Sequence, residues 1–255
     1  FVAFAPVEDP QIAVSVLIFQ GGSGGYAGPV ARELGLEGAS DEAEYVLVAR
    51  DVMLNRKVGA KLDIQHISSK VTVDILRQAK REGICVYGEV TPQHLAATEE
   101  LVRDKGALAR VNPPLRTEED RRGLIEGLRD GTIDMIATDH APHAREEKEL
   151  PIAQAPSGMI GLETAFALVN TYAVREGGVP LMTVLRALTV NPARLYGLEA
   201  GQIAVGKPAD LVVLDPDETW EITDNFRSKA RNSPFIGWKV TGRVKMTICG
   251  GELVG

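Results

Sequence analysis

Ile133-Asp134-Met135-Ile136-Ala137-Thr138-Asp139-His140-Ala141-Pro142-His143 begins as a short, mostly apolar run and ends as a polar loop. A run of this kind fits a strand covered on both faces, as in a parallel sheet. In parallel α/β folds the groups that do chemistry gather at the carboxyl ends of the strands. Here that end holds Asp139 and two of the chain's four histidines, His140 and His143. Asp139 is therefore a candidate metal ligand and proton carrier. The alternative is a polar loop in which Asp139 caps a turn.

The same strand and helix rhythm extends outward. Ser40 reads as the N-cap of a helix over residues 42–58, followed by a strand at 61–66, a helix at 71–82 and a strand at 84–90. Thr117-Glu118-Glu119-Asp120 opens a helix running to about residue 130. Downstream, helices are expected at 161–175 and 180–188, with Asn191-Pro192 breaking the second or beginning a new turn. After about Gly201 the pattern changes to short strands at 209–214, 219–222, 243–249 and 252–254, separated by Gly, Pro and Asp. This predicts an α/β unit over residues 1–200 and a small all-β module over 201–255, with no internal repeat.

Composition narrows the function. The chain has 255 residues, 44% hydrophobic and 25% charged, enough for a sizeable core and too apolar for disorder. Twenty-eight Lys and Arg against 35 Asp and Glu give a net charge of −7 without a basic stripe, which argues against nucleic-acid binding. No apolar segment reaches the length of a membrane span, and residues 1–10 lack the basic start of a secretory signal. Cys85 and Cys249 read as two buried thiols in a reducing cytoplasm. Gly21-Gly22-Ser23-Gly24-Gly25 reads as a flexible connector.

Three further stretches carry polar groups at strand ends or in stiffened loops. Lys61-Leu62-Asp63-Ile64-Gln65-His66 ends in an imidazole, which with Asp139 would suit Zn²⁺ and its nitrogen and oxygen ligands; a lone strand-end histidine is otherwise simply hydrogen-bonded. Thr91-Pro92-Gln93-His94 follows the strand at 84–90, and Arg110-Val111-Asn112-Pro113-Pro114-Leu115-Arg116 places an amide beside two prolines.

Taken in order, these runs together with Glu89-Val90-Thr91-Pro92-Gln93-His94-Leu95, Gly161-Leu162-Glu163-Thr164, Asn191-Pro192-Ala193 and Gly206-Lys207-Pro208-Ala209-Asp210-Leu211 resemble the cyclic amidohydrolase superfamily, most closely the class I dihydroorotases. The resemblance covers nearly all of residues 34–254. Asn-Pro-Pro-Leu-Arg and Thr-Asp-His-Ala-Pro-His favour dihydroorotase over allantoinase or hydantoinase. The resemblance implies a metal-dependent hydrolase built on a (β/α)₈ TIM barrel with a small C-terminal β-sandwich. It implies the reversible closure of N-carbamoyl-L-aspartate to dihydroorotate in pyrimidine biosynthesis, on one or two zinc ions. His66 matches a zinc ligand, and Asp139 matches the aspartate that ligates zinc and shuttles the proton. Asn112 and His143 match substrate contacts. Ser157 and Gly158 match a loop that closes over substrate through backbone groups, although the family more often has Phe at the position of Ser157. His94 is expected to be structural or to support a ligand. A cytoplasmic homodimer is implied, in some members associated with aspartate carbamoyltransferase.

The family's early His-x-His strand end and its bridging carboxylate have no counterpart, and Pro6 stands where a zinc histidine belongs. Only the last four barrel strands are found, at 1–5, 61–66, 84–90 and 133–139. The expectation is a C-terminal portion of the enzyme, with Phe1 inside a strand, the rest missing or supplied by another polypeptide, and the chain nearly inactive alone. Two other readings stand beside it: a non-catalytic dihydroorotase-like scaffold of the carbamoyltransferase, and another cyclic amidase such as a hydantoinase.

Overall fold

The computed structural model describes residues 2–5, 12–15, 33–35 and 38–254. Pro6 and the Gly/Ser run at 21–25 lie outside the described residues. The first sheet has five strands in sequence order, β1 (Val2–Ala5), β2 (Ile12–Ser15), β3 (Lys61–Ile64), β4 (Val86–Val90) and β5 (Met135–Ile136). Strands β2 to β5 are parallel neighbours, whereas β1 runs antiparallel to β2. This corrects the expectation that residues 1–5 form the parallel neighbour of β3. That place belongs to the apolar stretch Ile12–Ser15.

Helix α1 (Glu42–Val58) starts at Asp41, which makes no side-chain cap, and not at Ser40. It ends at Gly59, which takes a left-handed conformation (φ 71°) that glycine adopts without steric penalty. Buried Asn55 then staples the helix to the sheet: its side chain bonds Ala60 through both N–H and C=O and donates to the Cys85 carbonyl at 2.8 Å. Helix α2 (Lys70–Arg81) follows β3, and α3 (Pro92–Ala96) and α4 (Leu101–Lys105) follow β4. Helix α5 (Glu118–Asp130) opens on the reciprocal Thr117–Asp120 capping box that its sequence announces.

After β5 come α6 (Arg145–Lys148) and α7 (Ala165–Val169), the latter continuing as a π-helical turn over Asn170–Glu176. The helix expected at 161–175 thus begins four residues later and changes pitch. Helices α8 (Leu181–Leu188) and α9 (Val190–Tyr196) follow, so Asn191-Pro192 lies inside a new short helix. The second sheet is antiparallel, β6 (Leu211–Glu221), β7 (Lys239–Cys249) and β8 (Glu252–Val254). The strands expected at 209–214 and 219–222 are one bulged strand, its register shifting between Asp215 and Thr219. Cys249 on β7 is exposed and Cys85 is half-buried, so neither is fully buried as expected; both are free thiols.

Two cores position the site. In one, Leu62, Ile64, Val86 and Val90 of the strands pack against Val73 and Leu76 of α2 and Leu124 and Leu128 of α5. Alternation along a strand therefore turns Asp63 and Glu89 to the opposite face of the sheet. In the other, Phe235, Ile222 and Val240 pack against Leu115, Met159 and Leu168, with Trp238 edge-on to Phe235 and Tyr172. Burying a side chain such as Phe235 contributes up to about 3 kcal/mol. That packing carries residues 222–240 to the loops beyond β4 and β5.

Candidate active site at the strand ends

His66 and Asp139 lie just past the carboxyl ends of β3 and β5, with φ of 54° and 49°. They are the only non-glycine residues with positive φ among the described residues. Such a conformation is disfavoured for a residue with a Cβ and persists where the surroundings over-determine it, most often at functional sites. Both turn toward one point: His66 Nε2 lies 3.7 Å from Asp139 Oδ1. Two ligands of one tetrahedral zinc stand about 3.4 Å apart.

Glu89 on β4, between these strands, is the residue that sequence reasoning passed over. Its Oε1 lies 2.8 Å from His66 Nδ1, and both atoms are buried with no other partner. Carboxylates behind the second nitrogen of a metal-binding imidazole commonly fix its orientation. The signal was present in the sequence, since Glu89 is a charge inside an otherwise apolar strand. Burial works to lower the pKa of His66, but Glu89, Asp139 and Asp63 outweigh it and the net direction is upward. Burial raises the Asp139 carboxyl, with His66 opposing and Glu89 reinforcing.

The donor set matches a metal in part. His66 and Asp139 supply one nitrogen and one oxygen at suitable separation, and Glu89 and Asp63 each leave a buried oxygen without a hydrogen bond. The described residues contain no cluster of three or more His, Cys, Asp or Glu that could hold an ion. The pair fits as part of a coordination shell.

Asn112 leaves its side-chain oxygen buried and unpartnered. Its loop is held by His94, which is 3% exposed and engages both ring nitrogens: Nε2 lies 3.0 Å from the Pro113 carbonyl and Nδ1 2.7 Å from Thr91 Oγ. A carbonyl only accepts, so Nε2 carries the hydrogen and the Thr91 hydroxyl donates to Nδ1. Burial pushes His94 down to about 4, keeping it neutral. With both nitrogens engaged, it offers no lone pair to a metal.

His143 places Nε2 3.0 Å from the Ser157 carbonyl. The neighbouring carbonyls are also occupied: Lys148 Nζ donates to Pro156 at 2.9 Å and to Gly158 at 3.0 Å, and the Asn232 amide donates to Ala141 and Gly158. Gly158 N–H donates to the Arg110 carbonyl. Residues 156–158 are thus pinned beside His143 by a buried lysine and by Asn232, neither legible in the sequence. Burial and the Arg110 cation lower Lys148 to about 8. His140 turns away, its Nδ1 accepting the Gly161 N–H at 3.1 Å.

A family model described as the amidohydrolase family matches residues 32–254, and the chain belongs to that family. A dihydroorotase from Clostridioides difficile (strain 630) is 51% identical over 247 residues, 97% of this chain and 57% of the relative. One from Lactococcus lactis is 49% identical over 227 residues, 89% of this chain and 54% of the relative. The chain thus spans little more than half the length of these relatives. Among solved structures, an L-hydantoinase (dihydropyrimidinase) from Arthrobacter aurescens superposes with a TM-score of 0.79 at 33% identity, over 84% of this chain and 49% of the other. No helix among the described residues is long and apolar enough to cross a membrane.

Proposed function

We propose that this chain carries the C-terminal part of a dihydroorotase, in which β2 to β5 are the last four strands of a (β/α)₈ barrel. Residues 1–200 form the barrel portion, and residues 201–255 contribute the small β-sandwich module. The observation that carries this reading is the convergence of His66 and Asp139, two strained strand-end residues, on one point. Dihydroorotase is preferred to hydantoinase because curated dihydroorotases share about half of their aligned residues with this chain, whereas the hydantoinase similarity is strongest in backbone shape.

His66 Nε2 and Asp139 Oδ1 would hold a zinc ion, with the remaining ligands outside the described residues. A zinc ion held there would supply Lewis acidity at the substrate carbonyl and a nucleophilic oxygen near neutral pH. The protein groups do the rest. Asp139, with its pKa raised by burial, takes a proton from the attacking oxygen and delivers it to the ring nitrogen in hydrolysis, and reverses this in ring closure. The unpartnered Asn112 oxygen accepts a ring N–H. His143, with Nε2 donating to the Ser157 carbonyl and Nδ1 3.6 Å from a Glu147 carboxylate oxygen, would meet the substrate carboxylate beside the backbone of Ser157 and Gly158 as the doubly protonated ring, which donates from both nitrogens.

The test is titration of the isotopically labelled chain with dihydroorotate and, separately, with hydantoin, in the presence of zinc. Dihydroorotate should shift the Asn112, His143 and Gly158 amide signals, and His66→Ala should remove the zinc dependence. No response to dihydroorotate, or an equal response to hydantoin, overturns the proposal.

A further inference from the structure

Glu44 lies on α1, far from the strand ends in sequence, and is 3% exposed. Its carboxylate accepts the Ser68 N–H through both oxygens at 3.1 and 3.2 Å, the Ser69 N–H at 3.0 Å, the Thr72 hydroxyl at 2.7 Å and the Ser68 hydroxyl. All three donor residues are fully buried. These groups form the start of α2, whose own first turn contains no acid. A helix N-terminus presents unsatisfied N–H groups and a positive dipole end, and Glu44 supplies the anion from another helix.

The segment it grips follows directly on His66. Ile67 N–H is tied to the Glu89 carbonyl at 2.9 Å, so residues 67–69 are fixed on one side by β4 and on the other by Glu44. Buried Arg116 adds a third restraint, its Nε donating to Ser68 Oγ at 3.1 Å and its Nη1 to the Ala39 carbonyl at 2.5 Å. Ser68 Oγ thereby accepts from Arg116 while donating to Glu44. Arg116 ends the loop that begins with Asn112, so one network joins the backbone behind His66 to that behind Asn112. A histidine at φ 54° needs such over-determination to stay there.

We infer that Glu44 is a positioning residue: through Ser68, Ser69 and Arg116 it holds His66 in its strained conformation and sets the spacing between His66 and the Asn112 loop. The geometric statement stands on the network itself; its consequence for a bound metal rests on the function proposed above.

The experiment compares Glu44→Gln with Leu128→Ala, a cavity variant in the same core, under conditions where both are fully folded and after their Tm losses are measured. In Glu44→Gln the His66 ring signals should shift and amide exchange at residues 67–69 should quicken about tenfold, while Leu128→Ala leaves both in place. Cobalt(II) affinity, read from absorption and referenced to His66→Ala, should fall about 10- to 100-fold in Glu44→Gln. Unchanged His66 signals in Glu44→Gln, or equal shifts in Leu128→Ala, overturn the inference. Wild-type protein that binds cobalt no better than His66→Ala, while Glu44→Gln still moves the ring, sinks the metal reading and leaves the positioning role standing.

Discussion

Asp63 lies three residues before His66 on β3, fully buried, with Oδ2 accepting the Tyr196 hydroxyl at 2.8 Å and Oδ1 unpartnered. Burial and the neighbouring Glu89 push its carboxyl up to about 7. The folded protein therefore binds this proton more tightly than the unfolded chain does, and unfolding releases it between about pH 4 and pH 7. Stability contributed by protonated Asp63 is present below that window and lost as pH rises through it, an effect on the order of 4 kcal/mol. Asp63→Asn, which keeps an acceptor for Tyr196, should flatten this part of the pH profile and raise stability at pH 8, as read by urea unfolding across pH. Gly158 poses a steric question. At φ 131° a Cβ would stand 2.6 Å from Ala141 Cβ and 3.0 Å from His143 Nε2. Gly158→Ala should lower stability by about 1–3 kcal/mol and displace the His143 ring signals.

At the scale of elements, the approach of α2 to α5 places the strand ends they support. Asp120 works at both helices: it closes the α5 capping box with Thr117 and accepts Lys70 N–H at 3.0 Å, at the start of α2. Gly127 marks a close approach, since a Cβ there would meet Val73 Cγ1 at 2.7 Å and Ile133 Cδ1 at 3.2 Å. Helix propensity alone favours alanine over glycine by about 1 kcal/mol. The contact with β-branched Val73, held in the core, outweighs it. Gly127→Ala should therefore destabilise by about 1–3 kcal/mol, whereas a propensity-dominated site would gain stability in the same denaturant melt.

For the whole molecule, the described residues bring together two zinc-type donors facing one point and no cluster of three. A chain so equipped should retain fewer than two tightly bound ions after desalting, measured by mass spectrometry of the metal content. Two retained ions per chain would show that the assigned ligand set is wrong.

The strand and helix rhythm from Glu42 to Asp139 was legible because period and capping are local properties: the three- to four-residue apolar spacing of α2 and the Thr117–Asp120 box can be read from nearby residues. Asp139 and His66 were legible for the same reason, each ending an apolar strand. The parallel place of Ile12–Ser15, the single bulged strand Leu211–Glu221 and the exposure of Cys249 were not, because pairing and burial depend on segments distant in sequence. Nor were the partners that orient the site. Glu89 faces His66 through strand register, Glu44 reaches Ser68 and Ser69 by helix packing, and Lys148 and Asn232 meet at the Gly158 carbonyl after long excursions of the chain. Sequence alone determined which groups can do chemistry, since reactivity belongs to the side chain. Tertiary structure decided which of them face one another, since distance and burial arise only when the chain has packed.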